Sequence, residues 1–329
     1  MRNRLILIIA LAAAVLLILA LRAQQDARVA DLESRPLLDA AQLELLAAAS
    51  QLQLARGELS ASLAREGEQW TVADHHHFPL QRERLAALLH ALRGARILEA
   101  KTANPAHHAR LGLDASAPAP DSLQLTIEGE AGSLQLLFGE RVGNGQLMRF
   151  ADQDQVWLIN RPLQTSVSPR DWLDLQVVQL PLQEVQEALW QHADGEQVRF
   201  DKAAEGDYNL RLADSQEPGY QRWINGVVLG LVGLRAQDVQ LREQLQLSDT
   251  PMLRMQLQTR AGDRLQAALQ AIDGRYWVLV EEVERVDGSL LQVNADPRWA
   301  FQIGIAEVEA LARGGAELLS GPQPVDEYE

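Results

Sequence analysis

The chain reads as an α+β protein: an N-terminal transmembrane helix followed by two duplicated units, each a mainly antiparallel sheet with a packed helix. Three observations predict this. Leu5 to Leu21 is a run of 17 residues without a polar side chain. Beyond it, apolar and polar residues alternate with period two in many short segments, interrupted by stretches of helical spacing. The landmarks of the first half then recur in order in the second half, the signature of an internal repeat.

As a helix, the run from Leu5 through Leu11 and Leu16 to Leu21 extends about 26 Å, close to the ~30 Å hydrocarbon core of a bilayer. Arg4 and Arg22 flank it, and their long stems can reach the headgroups. Arg2 and Arg4 precede the run, whereas Arg28 beyond it is balanced by Asp26, Asp31 and Glu33. The positive-inside rule therefore places the N-terminus in the cytoplasm and the bulk of the chain in the periplasm of a bacterial inner membrane. A cleaved signal peptide fits less well. The candidate −3/−1 pairs, Ile18/Ala20 and Leu21/Ala23, each contain a bulky residue. Ala10 and Ala14 allow close helix approach, but the simpler reading is a single alanine-rich anchor in contact with lipid.

A hydrophobic content of 47% supports packed cores. With no cysteine, the body has no disulfide frame, no thiol chemistry and no thiolate metal site. A formal charge of −15 argues against nucleic acid, which needs a basic footprint. The expected partner surfaces are proteins or neutral ligands.

Asp39 with Gln42 three residues on marks a short helix start in the connector. Alternation follows in Gln51–Leu54, Leu59–Ala64 and Gln69–Val72, with turns at Gly57 and Gly67. Pro79 is read as opening an amphipathic helix whose Leu85, Leu88, Leu89 and Leu92 share a face, ended by Gly94. Ile97 to Ala100 reads as a strand, and Thr102 to Pro120 as a loop. Leu123/Leu125/Ile127, Leu134/Leu136/Phe138, Met148/Phe150 and Val156–Ile159 then supply strands for an antiparallel sheet.

The second half repeats this order. Gly206–Asp214 mirrors the stretch ending at Trp70–Asp74, and Trp223, Ile224, Val227, Val228, Leu231 and Leu234 have helical spacing. Leu253/Met255/Leu257 match Leu123/Leu125/Ile127, Ala261–Gly262 matches Ala131–Gly132, and Tyr276–Leu279 is matched to Val156–Ile159. The offset falls from about 140 to 130 to 120, which implies a longer loop and an extra hairpin in the first copy. Trp299–Ile303 and the helix-like Ala306–Arg313 are read as starting a truncated third copy. The expected domains are an anchor (1–22), a juxtamembrane connector (23–48), a first unit (49–178), a second unit (179–290), and a partial third strand and helix with an acidic tail (291–329).

Several of these residues also carry a family likeness. The N-terminal anchor, the Trp70 strand followed by the Leu88-Leu89-His90-Ala91-Leu92 helix, Leu111-Gly112-Leu113-Asp114 ahead of prolines, and the Val156-Trp157 strand resemble the bacterial domain-of-unknown-function 4340 family. Trp277 is the counterpart of Trp157 in the second copy. The family's proline follows Gly-Leu-Asp closely, whereas Pro118 comes four residues after Asp114. The resemblance implies a membrane-anchored periplasmic protein associated with gliding-motility-type ABC transport systems. It supplies no catalytic residues.

Candidate chemistry is sparse. Asp74-His75-His76-His77, with His107-His108, has ligand types suited to zinc or copper, yet adjacent histidines in a strand point to opposite faces and no His-x-x-x-His spacing occurs. A polar loop is the expectation. Gly226-Val-Val-Leu-Gly230 with Gly233 lacks the Lys-Ser/Thr of a phosphate cradle and reads as a helix lying close on its sheet. Gly139 to Gly145 reads as a hairpin turn. Glu281, Glu282 and Glu284 read as a solvated strand edge, and no nucleophile-elbow or zincin motif occurs. No catalytic, cofactor or metal residue is assigned. The expected function is a non-enzymatic scaffold subunit touching membrane lipid through its anchor and an ABC-type permease or other envelope proteins through its body. The alternatives are a module binding a polymer or lipid in a groove between the units, and a metal-dependent enzyme built on Asp74 and His75–His77.

Overall fold

A computed structural model describes residues 34–322 except 118, 205 and 206. The expected anchor at Leu5–Leu21, with its flanking Arg4 and Arg22, and the acidic end of the chain lie outside the described residues. Among the described residues no helix is long and apolar enough to cross a membrane. The fold is α+β, with mostly antiparallel sheets and few helices. The chain divides between Asp174 and Leu175 into two units.

The first unit is a twisted ten-stranded sheet crossed by one long helix. Its strands are β1 (Arg35–Pro36), β2 (Ala49–Arg56), β3 (Leu59–Glu66), β4 (Gln69–Val72), β5 (Phe78–Pro79), β6 (Arg96–Ala100), β7 (Leu123–Gly129), β8 (Gly132–Val142), β9 (Gly145–Phe150) and β10 (Val156–Ile159). They lie in the order β1-β6-β10-β9-β8-β7-β2-β3-β4-β5, with every pair antiparallel. Alternation sets the two faces: Leu52, Leu54, Leu63, Leu125 and Ile127 are buried, while Gln51, Gln53 and Glu128 are exposed.

Helix α1 (Ala40–Ala47) starts in the expected capping box, with the Gln42 N–H donating to Asp39 Oδ1 at 2.8 Å and the Asp39 N–H to Gln42 Oε1 at 3.0 Å. Helix α2 (Arg82–Gly94) carries the chain from the β5 end of the sheet to the β6 end and buries Leu85, Leu88 and Leu92. Its start corrects the sequence reading. Pro79 sits in β5 opposite Thr71, and the helix begins at Arg82. A proline serves an edge strand as well as a helix start because both positions spare its missing N–H.

The second unit contains β11 (Val178–Gln179), β12 (Val185–His192), β13 (Gln197–Asp201), β14 (Arg211–Leu212), α3 (Gln221–Val232), β15 (Asp238–Leu241), β16 (Leu253–Thr259), β17 (Arg264–Ile272), β18 (Arg275–Glu284), β19 (Gln292–Val293), β20 (Trp299–Ile303), α4 (Ile305–Leu311) and α5 (Gly315–Ser320). Eight of these strands form a sheet in the order β14-β13-β12-β16-β17-β18-β20-β15, and β11 pairs with β19 apart from it. The β17–β18 turn is Asp273-Gly274, with φ of 50° and 73°. This is the doubly positive pair a two-residue type I′ hairpin needs. Helix α3 joins the β14 edge to the β15 edge and buries Ile224, Val227, Val228 and Leu231.

Two further sequence readings change here. Strand β20 lies between β18 and β15 in this same sheet, so residues from Trp299 onward complete the second unit and start no third one. In addition, Gly230 of α3 faces Leu311 of α4, 3.1 Å from where a Cβ would stand, so its small size serves helix-on-helix contact.

Candidate functional site

The histidine cluster is dispersed by its backbone. Ala73–His75 is a single 3-10 turn, and His76 and His77 follow with φ of 53° and 61°. An Asp74 carboxylate oxygen accepts the Ser62 backbone N–H at 2.6 Å, tying the turn to β3. His77 Nδ1 lies 3.0 Å from Glu66 Oε1 and 3.2 Å from Thr71 Oγ1. His107 Nδ1 sits 3.4 Å from Thr102 Oγ1, and His108 is buried with Nε2 at 2.9 Å from the Asp154 carbonyl. Among the described residues no three His, Asp or Glu side chains are grouped to hold a metal ion.

The other motifs each have defined contacts. Gly143 (φ 59°) turns the β8–β9 hairpin. Gly139 lies so close to Leu111 that an added Cβ would stand 2.1 Å from its carbonyl oxygen. Glu281 pairs with Arg254 at 3.1 Å, Glu282 accepts from Gln266 at 2.8 Å, and Glu284 meets Arg264 at 3.4 Å. Trp277 is buried, and Trp157 is half-buried beneath the Arg35 guanidinium, 4.4 Å from its ring centre. Trp70 is half-buried on β4.

The Gly112-Leu113-Asp114 stretch has a clear physical task. Gly112 takes φ 69° and ends a 3-10 turn, which drives Leu113 into a small core with Leu137, Leu147 and Val156. The Leu113 carbonyl accepts from Arg149 Nε at 3.0 Å and Nη2 at 2.9 Å. Arg149 Nη1 donates to the carbonyls of Phe150, Ala151 and Gln153. Asp114 is bonded by the Ser116 hydroxyl and N–H, which hold its carboxyl below the usual value, with a smaller contribution from the Arg149 charge.

Two other buried ionisable groups are held in the same manner. Lys202 Nζ donates to the carbonyls of Leu182 (3.2 Å), Gln183 (2.9 Å) and Asp207 (2.7 Å), and burial lowers its pKa, with the Arg260 charge adding to the effect. Asp263 accepts from Thr259 Oγ1 at 2.7 Å and from the Val286 N–H at 2.9 Å. Burial pushes its carboxyl up, but these bonds, with the Ser289 hydroxyl and the Arg285 charge, leave it net lowered. Sequence reading missed all three. Arg149 lay between apolar neighbours in β9, a weak cue, and Lys202 and Asp263 gave none.

Among the described residues, one half of each sheet's second face carries a groove. In the first unit, the loop after β6 covers the β8–β10 end through Leu111 and Leu113. The uncovered β2, β3 and β7 form a groove of about 300 Å³, floored by Gln51, Gln53, Ser62, Thr126 and Glu128, with His77 also lining it. In the second unit, Leu245 and Leu247 of the loop after β15 pack on Ile272, Trp277, Leu279 and Ala300. The uncovered β12, β13, β16 and β17 form a groove of about 570 Å³, floored by Glu187, Arg199, Asp201, Gln256, Gln258 and Gln266.

No curated protein and no solved structure matches the chain. A family model described as domain of unknown function (DUF4340) matches residues 70–252, more than half of its length. The motif residues Trp70, Gly112, Leu113, Asp114 and Trp157 all fall inside that span. The chain belongs to the DUF4340 family.

Proposed function

We propose that this protein is a non-enzymatic, single-pass accessory subunit of a bacterial inner membrane, its N-terminus cytoplasmic and its duplicated body in the periplasm beside an ABC-type permease. The apolar run Leu5–Leu21 with its flanking arginines supports the placement. The observation that carries the scaffold reading is the fate of the buried charges. Arg149 and Lys202 end on main-chain carbonyls, and Asp263 is held by a main-chain N–H and the Thr259 hydroxyl. Groups so engaged stabilise a framework and are not free to transfer protons or attack a substrate.

The duplication is supported by strand order and register. Reading β4-β3-β2-β7-β8-β9-β10-β6 against β14-β13-β12-β16-β17-β18-β20-β15 pairs each strand with a counterpart, with α2 matching α3. The bulge between Ala49 and Gln51 opposite β7 has a counterpart between Val185 and Glu187 opposite β16. In this alignment Tyr276–Leu279 belongs with β9 and Trp299–Ile303 with β10, and β1 and β5 of the first sheet have no counterpart in the second. The sequence pairing of Val156–Ile159 with Tyr276–Leu279 was displaced by one strand.

An accessory role also needs a docking surface. Among the described residues, strand β1 pairs with Arg96 and Ile97 of β6, and Leu98 beyond them is 40% exposed, an edge to which a partner strand can add. Affinity purification from detergent-solubilised membranes tests the reading. Permease and ATPase subunits are expected to co-purify, and repeated recovery of a lone monomer overturns it.

A further inference from the structure

We infer that the uncovered half-face of each unit is a binding site for a neutral, hydroxyl- and acetamide-bearing glycan, one site per unit. The inference rests on the duplication proposed above and is independent of the transporter role.

The two grooves overlap on three corresponding strands when the sheets are laid over one another by register, and the second extends one strand further, onto β17. Across the first sheet, Ser62 faces Gln53, which faces Thr126, which faces Gln135. In the second, Arg199 faces Leu189, which faces Gln256, which faces Gln266. The neighbouring rows are Ala64-Gln51-Glu128 and Asp201-Glu187-Gln258. Ala73 and Ala213, which directly follow the corresponding strands β4 and β14, line the matching grooves. In both units the loop after the crossover strand buries leucines over the other half of this face and stops short of the groove. A sheet needs one covered face for stability, so the second loop-capped layer delimits the bare patch in the same place twice.

The floor chemistry selects the ligand. Glutamine amides and Ser/Thr hydroxyls each donate and accept, which matches sugar hydroxyls and acetamido groups that do the same. The second floor sets Glu187 and Asp201 against Arg199 and Arg264, so its charges cancel. The first has one carboxylate, Glu128, and no lysine or arginine. On a chain of net charge −15 such floors disfavour polyanions. An extended peptide is bound mainly through backbone pairing at a sheet edge, and these patches are faces. Rows of three and four strands span roughly 10 and 14 Å, enough for a short oligosaccharide. Two equivalent sites suit a ligand that repeats its own unit.

The test titrates the full-length protein in detergent with neutral N-acetylglucosamine oligomers of two to six residues, read by calorimetry. Two sites per chain are expected, with affinity insensitive to salt. Ser62→Trp and Gln256→Trp are expected to remove one site each, and the double variant to remove both. Gln53→Glu and Gln258→Glu, which preserve side-chain shape, are expected to weaken their own site at least 5-fold. Absence of binding, a single site, binding that survives the double variant, or tighter binding of an oligogalacturonate or a neutral Gln/Ser peptide overturns the inference. None of these outcomes bears on co-purification with a permease, so the two proposals fail separately.

Discussion

The guanidinium of Arg149 closes on the carbonyl of Leu113 with two hydrogen bonds, at 3.0 and 2.9 Å, across 36 residues of sequence. One buried cation thereby fixes the Gly-Leu-Asp stretch on β9 and seals the second layer of the first unit. Replacing Arg149 with Gln leaves several buried carbonyls without donors, at a cost of about 3 kcal/mol or more. Lys at this position keeps the charge but not the fork, and is expected to fall between. Urea unfolding of residues 34–322 measures both, and a loss under about 1 kcal/mol for Arg149→Gln contradicts the assignment.

Glycine substitutions should separate by what a Cβ would meet. At Gly139 it would stand 2.1 Å from the Leu111 carbonyl oxygen, and Gly139→Ala is expected to destabilise by more than about 2 kcal/mol. At Gly226, inside α3, nothing lies within 4 Å, and Gly226→Ala is expected to stabilise by about 0.5–1 kcal/mol through helix propensity alone. Thermal melts of the pair give opposite signs if the packing is as described.

Acid should loosen the second unit through Asp263. Its folded-state carboxyl lies below the ordinary aspartate value of 3.8, so its contribution is present above that value and is lost as pH falls through the folded one. Asp263→Asn is expected to cost about 1.5–3 kcal/mol at neutral pH. The gap from the parent should narrow below pH 3.8. A gap that stays constant to pH 2 would contradict this linkage. Lys202 acts in the opposite range. Burial disfavours its charged form and holds its folded pKa below 10.5, so stability rises as pH passes from the folded value toward 10.5.

The match to residues 70–252 cuts through both sheets. It omits β2 and β3, the inner strands beside β7, and it ends before β16, leaving four strands of the second sheet outside. A fragment of those residues is expected to be unfolded or aggregated, with bare core edges. Fragments 34–174 and 175–322 are each expected to melt cooperatively by circular dichroism. A cooperative 70–252 fragment would contradict the division at Asp174.

Much of this fold was legible because alternation and turn chemistry are local. Gln51–Leu54 reads as a strand from its own period, and Asp39 with Gln42 reads as a cap from its spacing. What escaped was decided by partners distant in sequence. Pro79 satisfies the rules for a helix start and for an edge strand alike, and only pairing with Thr71 separates them. Trp299–Ile303 has the pattern of any strand, and nothing in it says that it inserts between β18 and β15. Arg149 is an ordinary charge until the chain around Leu113 and Gln153 supplies its acceptors. The residues carried by the family likeness lie on strands β4, β10 and β18 and in the turn at Gly112, and the grooves became visible only once strand register placed Gln53 beside Thr126 and Leu189 beside Gln256.

The proposed location of this body is the outer side of the inner membrane, with Leu5–Leu21 as its anchor. Protease added to intact spheroplasts tests that placement directly, with a cytoplasmic protein as the internal control. The predicted result is loss of the folded body while the control survives. A body that stays intact until the spheroplasts are lysed would contradict the account.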